Sequence, residues 1–425
     1  MPVTGPKTGF TFVDPSTSVK LDLGNRYISK DYLIDMYPNL IPSIKSPGLW
    51  MGGLTAAGQL GNGNADPDYA WSLVHVGITS SSVSSTRNDW SQVSIGGSTS
   101  LSIKTDGTLW TWGYNAYGQL GKGNIVSYSS PVQIGALTNW KYINVTDGSF
   151  AGAVKTDGTL WAWGYNDSGQ IGNSSRASYS SPIQIGSLTN WKQVYGCGGT
   201  IAAVKTDGTL WAWGYNYYGQ LGNSSSASYS SPIQIGSLTN WKQVSVTMNG
   251  SVTAVKTDGT LWVWGYNNHG QSGNGSDSTY SSPIQVGTLT NWKQVSCGYS
   301  VTLSVKTDGT LWAWGYNYYG QLGNSSRTSY SSPIQIGSLT NWKQVSVGGS
   351  TLTAVMAIKT DGTLWGWGND NNRALCTIDN YVAAGGLSII PGATYSSPIQ
   401  IGALTNWKNV TTTGNFTAIL ADGYI

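Results

Sequence analysis

The stretch KTDGTLWAWGYN, Lys155 to Asn166, recurs letter for letter from Lys205 to Asn216 and from Lys306 to Asn317, and in near-copies starting at Lys104, Lys256 and Lys359. Locally it is two β-prone runs around an Asp-Gly pair. That pattern predicts a hairpin with a type I′ turn, whose central residues take positive φ. Within LWAWG the strand period of two puts Trp161 and Trp163 on one face and Leu160 and Ala162 on the other.

Working outward, NWKQV precedes each copy, from DWSQV at Asp89 to NWKNV at Asn406, and SSPIQIG follows it. With worn copies admitted, each phrase occurs seven times. The Asp-Gly turns fall at Asp106, Asp157, Asp207, Asp258, Asp308, Asp361 and Asp422, a period of 50 or 51 residues except near the ends. The Pro of SSPIQIG lacks a backbone donor and suits a strand start or an edge strand. Seven units of about four short strands predict an all-β, seven-bladed β-propeller. In such a ring both faces of a blade are covered. Both Trp of each pair are therefore expected to pack on the small-residue face of the adjoining blade, each removing ~150–250 Å² from water. The ends complete one blade between them: IKSPGLW (Ile44 to Trp50) is half a worn hairpin and ILADGYI (Ile419 to Ile425) the other half. Pairing the N- and C-terminal strands would close the ring and remove two exposed edges. The chain thus divides into an arm, 1–45, and a propeller, 46–425.

Composition agrees. The 425 residues include 57 Gly, 21 Trp and 25 Tyr, only 10% are charged, and all 19 acids are Asp. A chain without Glu and rich in β-formers is not built of helices. Net charge is +3, with lysines spread evenly through the repeats rather than gathered in a tail, which argues against a nucleic-acid partner. Three Cys make no disulfide framework, and Cys197 and Cys297 read as small buried residues. No long apolar run predicts membrane insertion. The opening MPVTGPKTGFTFVDPSTSV lacks a signal-peptide pattern, so a cytoplasmic or particle-borne protein is expected.

LWAWGYNYYGQLGNSS resembles the regulator-of-chromosome-condensation repeat, whose signature is Trp-Gly-x-Asn-x-x-Gly-Gln-Leu-Gly. GQLG or a close form stands at Gly58, Gly118, Gly169, Gly219, Gly270 and Gly320 and is lost in the seventh copy, NNRALC at Asn371 to Cys376. The resemblance covers 46–425 and implies a seven-bladed propeller, here a phage or bacterial member. The family's founding members exchange guanine nucleotides on a small GTPase, but none of their functional residues carries over, since the arm is not basic and no insertion matches their wedge. Propeller-type inhibitors of β-lactamases supply a third reading.

No residue set points to catalysis. His75 and His269 merely replace repeat residues, and no nucleophile elbow or zinc spacing occurs, so neither enzyme activity, metal nor cofactor is expected. The Asp of each turn is read as turn chemistry rather than a calcium ring. Binding is more promising, because the repeats differ mainly at the tip of GYNxxGQ: Ala116-Tyr117, Asp167-Ser168, Tyr217-Tyr218, Asn268-His269 and Tyr318-Tyr319. Tyr gives contact area at low entropy cost. Tyr117, Tyr217, Tyr218, Asn268, His269, Tyr318 and Tyr319 are therefore the candidate contacts for a glycan or a protein. In the arm, a short helix from Lys30 to Tyr37, stopped by Pro38, would present Tyr32, Leu33, Ile34, Met36 and Tyr37 as anchors for an assembly partner. Together these features resemble a virion protein, a fibre or capsid decoration displaying its loops to a host surface.

Overall fold

The computed structural model describes residues 11–13, 20–22, 48–54, 57–63, 69–76, 90–147, 149–349, 353–372, 374–375 and 394–421. The arm helix with Tyr32, Leu33, Ile34, Met36 and Tyr37, and the long insertions 78–89 and 379–393, lie outside these residues. In the arm, Thr11–Val13 pairs antiparallel with Lys20–Asp22.

Described by itself, the repeat region forms seven four-stranded antiparallel sheets. Blade 2 runs through Trp90–Gly96, Thr99–Lys104, Leu109–Gly113 and Tyr128–Gln133. Blades 3 to 6 repeat this order from Trp140, Trp191, Trp241 and Trp292, and blade 7 runs from Trp342 to Gln400. Blade 1 joins the two ends: Trp407–Thr412 and Phe416–Ala421 continue into Gly48–Leu54 and Tyr69–His75. There Gly48 pairs with Ala421 and Gly53 with Phe416, so the ring closes through its terminal strands as the worn hairpin halves require. In blades 2 to 7 the fourth strand bears the Pro and is the outer edge of its sheet, where a missing donor costs nothing.

First strands line the centre. The Gln and Ser of NWKQVS reach to the next blade: Gln243 Nε2 donates to the Val295 carbonyl at 2.9 Å and Gln294 Nε2 to Val345 at 2.9 Å, while the Val347 amide donates to Ser296 Oγ at 3.1 Å. In blades 3 and 4 the aromatic pair Tyr142 and Tyr195, centroids 5.8 Å apart, takes two of these places.

Two expectations need correction. The Asp-Gly turn is not type I′. Gly208 has φ 79 but Asp207 is not among the positive-φ residues, the Gly208 amide donates to the Lys205 carbonyl, and the Lys205 amide to that of Thr209. This is a three-residue loop, a type I turn followed by a left-handed glycine. Asp207 braces it by accepting from the Thr209 amide at 2.9 Å and hydroxyl at 2.7 Å, as Asp106, Asp157, Asp258, Asp308 and Asp361 do in their own turns. Second, the two Trp of each LWAWG differ. Trp163 is fully buried, clustered with Leu101, Ile103 and Leu109 of the preceding blade and set over its Gly121. Trp161 is only half-buried, its ring capped by Lys155 Nζ 3.5 Å from the centroid. Burial holds the Lys155 ammonium below its usual pKa, partly countered by Asp157.

Candidate functional site

Strand direction separates the two ends of the ring. The GYN tips and the loops between first and second strands share one end, because the Tyr114 amide donates to the Ser98 carbonyl at 2.9 Å. The Asp-Gly turns and the starts of the first strands share the other, where the Trp241 amide donates to the Gly208 carbonyl at 3.0 Å.

The Asn, Gln and last Gly of the signature each hold a tip or a joint. Asn216 is buried: its Nδ2 donates to the Ala227 and Ser225 carbonyls, and its Oδ1 accepts from the Leu221 amide at 2.8 Å. Gln220 Oε1 accepts from the Tyr218 amide at 2.8 Å. The tip backbone is thus pinned from both sides, leaving the two variable side chains outward. The last Gly makes the joint to the next blade. Trp264 Nε1 donates to the Gln220 carbonyl at 2.8 Å, and a Cβ built on Gly222 would stand 2.8 Å from that nitrogen.

On this scaffold the predicted contacts are mostly exposed. Tyr217 is 68% accessible, Tyr318 60% and Tyr117 47%. Tyr218, Asn268 and His269 are also exposed, and Tyr319 is half-buried. They come together in aromatic runs that include residues not predicted as contacts. Tyr217 stacks on Tyr215 (14° between planes) and meets Tyr218 edge-on at 5.0 Å, and Tyr218 lies 4.9 Å from Tyr266 of the following blade. His269 lies 5.2 Å from Tyr316, which stacks on Tyr318 (15°), itself 5.0 Å from Tyr319. Tyr117 meets Tyr165 at 4.9 Å, and the Tyr165 hydroxyl donates to Asp167 at 2.6 Å, a bond that raises its pKa. Tyr165, Tyr215, Tyr266 and Tyr316 are the constant Tyr of GYN. They do not vary between repeats and so were not among the expected contacts, yet their position just past the strand end was the signal that they border the tips.

At the centre of this end, Asp147 reaches from blade 3 to lie against Gly349 of blade 7 and accepts from the Gly97 amide at 2.6 Å. Burial raises its carboxyl pKa. Burial likewise pushes up the thiols of Cys197 and Cys297, which makes them poor nucleophiles. Among the described residues no group of three or more His, Cys, Asp or Glu is placed to hold a metal ion.

The opposite end corrects the reading of charge. Lysines spaced evenly in sequence are not spread in space, because a ring places every copy of a position on the same face. Lys141, Lys192, Lys242, Lys293, Lys343 and Lys408 are all exposed, each the second residue of a first strand.

Comparison with known proteins agrees with this architecture. The regulator of chromosome condensation (RCC1) repeat matches at 106–150, 157–204, 207–253, 258–305 and 308–355, and a second model of that repeat at 90–119 and 292–321. The E3 ubiquitin-protein ligase HERC2 of Mus musculus is 27% identical over 222 residues, covering 50% of this chain but 4% of its own length. The ultraviolet-B receptor UVR8 of Arabidopsis thaliana is 34% identical over 97 residues, 22% of each chain. The chain therefore spans a small part of these relatives. Among solved structures, yeast RCC1 (Prp20) bound to Kap60 superposes with TM-score 0.75 at 18% identity over 89% of this chain and 90% of that one. Human WBSCR16 gives 0.72 at 17% over 89% of this chain and 100% of that one, a likeness of fold alone. With the signature pinning the tips and seating the Trp in blade after blade, and the repeat matching more than half its length, the chain belongs to the RCC1 repeat family.

Proposed function

We propose that this chain is a non-catalytic binding module that holds a protein partner against its tyrosine-bearing tip face. The observation that carries this reading is the pair of aromatic runs from Tyr215 to Tyr266 and from His269 to Tyr319, raised on tips whose backbone is already pinned by Asn and Gln. Rigid, exposed aromatic groups lose little entropy on contact and supply large apolar area. Prp20p of Saccharomyces cerevisiae, similar in fold, is described as binding Gsp1p and histones, so protein binding has a precedent on this scaffold. The narrower form of the proposal is a display module of a phage or bacterial particle, docked through residues 1–45 and located on the virion.

The test is a cross-linking capture from the native source with the full chain, the chain lacking residues 1–45, and a variant with Tyr217, Tyr218, Tyr318 and Tyr319 changed to Ser. A protein held by the first two baits and lost from the third supports the tip face. Capture of particle proteins only when the arm is present supports the narrower form. A partner unaffected by the Tyr changes, or a tip ligand that proves to be a glycan, overturns the protein-binding reading. A captured GTPase whose nucleotide exchange quickens would replace display with exchange.

A further inference from the structure

We infer that the turn face carries a second site, a ring of lysines around the centre of the propeller that takes a compact polyanion bearing several phosphates. Six of the seven blades present the same exposed lysine at the start of the innermost strand: Lys141, Lys192, Lys242, Lys293, Lys343 and Lys408. Blade 2 has Ser91 instead, its hydroxyl turned back to the Ile103 carbonyl. The ring is tight. Lys242 Nζ lies 3.4 Å from the backbone carbonyl of Lys293, so neighbouring members stand within one side-chain length. Among the described residues the side-chain ammonium groups of Lys141, Lys192, Lys293 and Lys343 make no hydrogen bond or ion pair. Like charges held this close repel, and nothing in the packing of exposed lysines returns that cost. An anion on the axis would.

The arrangement of acids selects the shape of that anion. One position further out, on the turns between second and third strands, stand Asp106, Asp157, Asp207, Asp258, Asp308 and Asp361, all exposed. The hydrogen bonds from their own Thr lower their pKa, so they are ionised at neutral pH. The face is therefore a positive ring inside a negative one. An extended polyanion such as a nucleic-acid strand must cross the acidic rim twice, whereas a compact one meets only the lysines. This site does not involve the tips, and neither proposal depends on the other.

The probe is myo-inositol hexakisphosphate, titrated calorimetrically into the full chain at about 50 and about 200 mM salt. One equivalent should bind, with affinity falling about tenfold or more at the higher salt. The variant K192Q/K242Q/K293Q changes only exposed side chains and should melt as the parent does while losing at least about tenfold in affinity. The variant D207N/D258N/D308N keeps the turn acceptors but removes acid from the rim. It should strengthen binding of a short DNA duplex more than binding of the hexakisphosphate. No binding by the parent at low salt, or binding untouched by the lysine changes, overturns the site. A parent that binds the duplex more tightly than the hexakisphosphate overturns the compact ligand and makes the face a nucleic-acid surface.

Discussion

Six of the seven joints between blades use one interlock, and the closing joint does without it. In the six, an indole from one blade, Trp112, Trp163, Trp213, Trp264, Trp314 or Trp367, donates to the Gln carbonyl of the preceding GQxG phrase and lies over its last glycine. At the joint from blade 7 to blade 1 both partners have changed. Gly52 occupies the strand position that Trp112 holds in blade 2, since it pairs with Thr417 as Trp112 pairs with Ser100. By sequence Cys376 stands in the place of the glycine. The carbonyl of this joint, at Ala374, still accepts a hydroxyl, from Thr417, just as Gln271 accepts from Thr302. Large and small must alternate across a packed joint, so losing the large partner released the small one. Beside that joint, blade 1 is itself made from both chain ends, through the pairing of Gly48–Gly53 with Phe416–Ala421.

That contrast can be broken at either kind of joint. The largest effect is expected from deleting residues 416–425, which removes the strand that closes the ring. Cooperative melting should be lost, and an unchanged calorimetric transition would sink the closure. Next, Trp264→Ala should cost about 3–5 kcal/mol, as for other buried indoles, read by denaturant unfolding. Gly222→Ala should cost roughly 2–4 kcal/mol, because its Cβ meets the indole at 2.8 Å and its φ is +79. Cys376→Gly, at the matching place of the closing joint, should stay within about 0.5 kcal/mol. If these two changes proved equal, the contrast between joints would fail.

Smaller effects separate two classes of Asp. Burial raises the Asp147 pKa, so the folded state disfavours its charged form. The stability of the parent is then best below the ordinary carboxylate pKa and declines as pH rises through the raised value. Asp147→Asn should accordingly raise Tm at neutral pH, with the gain shrinking as the medium is acidified. Asp207 is the reverse case. Its pKa is lowered by Thr209, so its contribution is present at neutral pH and fades as pH falls through the carboxylate range. The smallest stability change is expected from Tyr217→Ser and Tyr318→Ser, within about 0.5 kcal/mol each, although these are the changes predicted to remove partner binding.

The sequence alone determined the all-β class, the seven units and the closure by terminal strands, because all follow from local periodicity and from counting; it left the Pro strands as strand starts or edges, and the sheet order made them edges. It also singled out the variable tip residues. It misread the Asp-Gly turn, since the dipeptide suits either a two-residue or a three-residue loop and the choice rests on pairing between Lys205 and Thr209. It treated the two Trp of LWAWG as equivalent, because the alternation of a strand carries no information on which end of it meets a neighbour. Only the tertiary structure joined Tyr218 to Tyr266 and His269 to Tyr316, residues from separate repeats. The same cause hid the lysine ring. A repeat distributes charge evenly along the chain, and circular closure then carries each copy to the same place on one face.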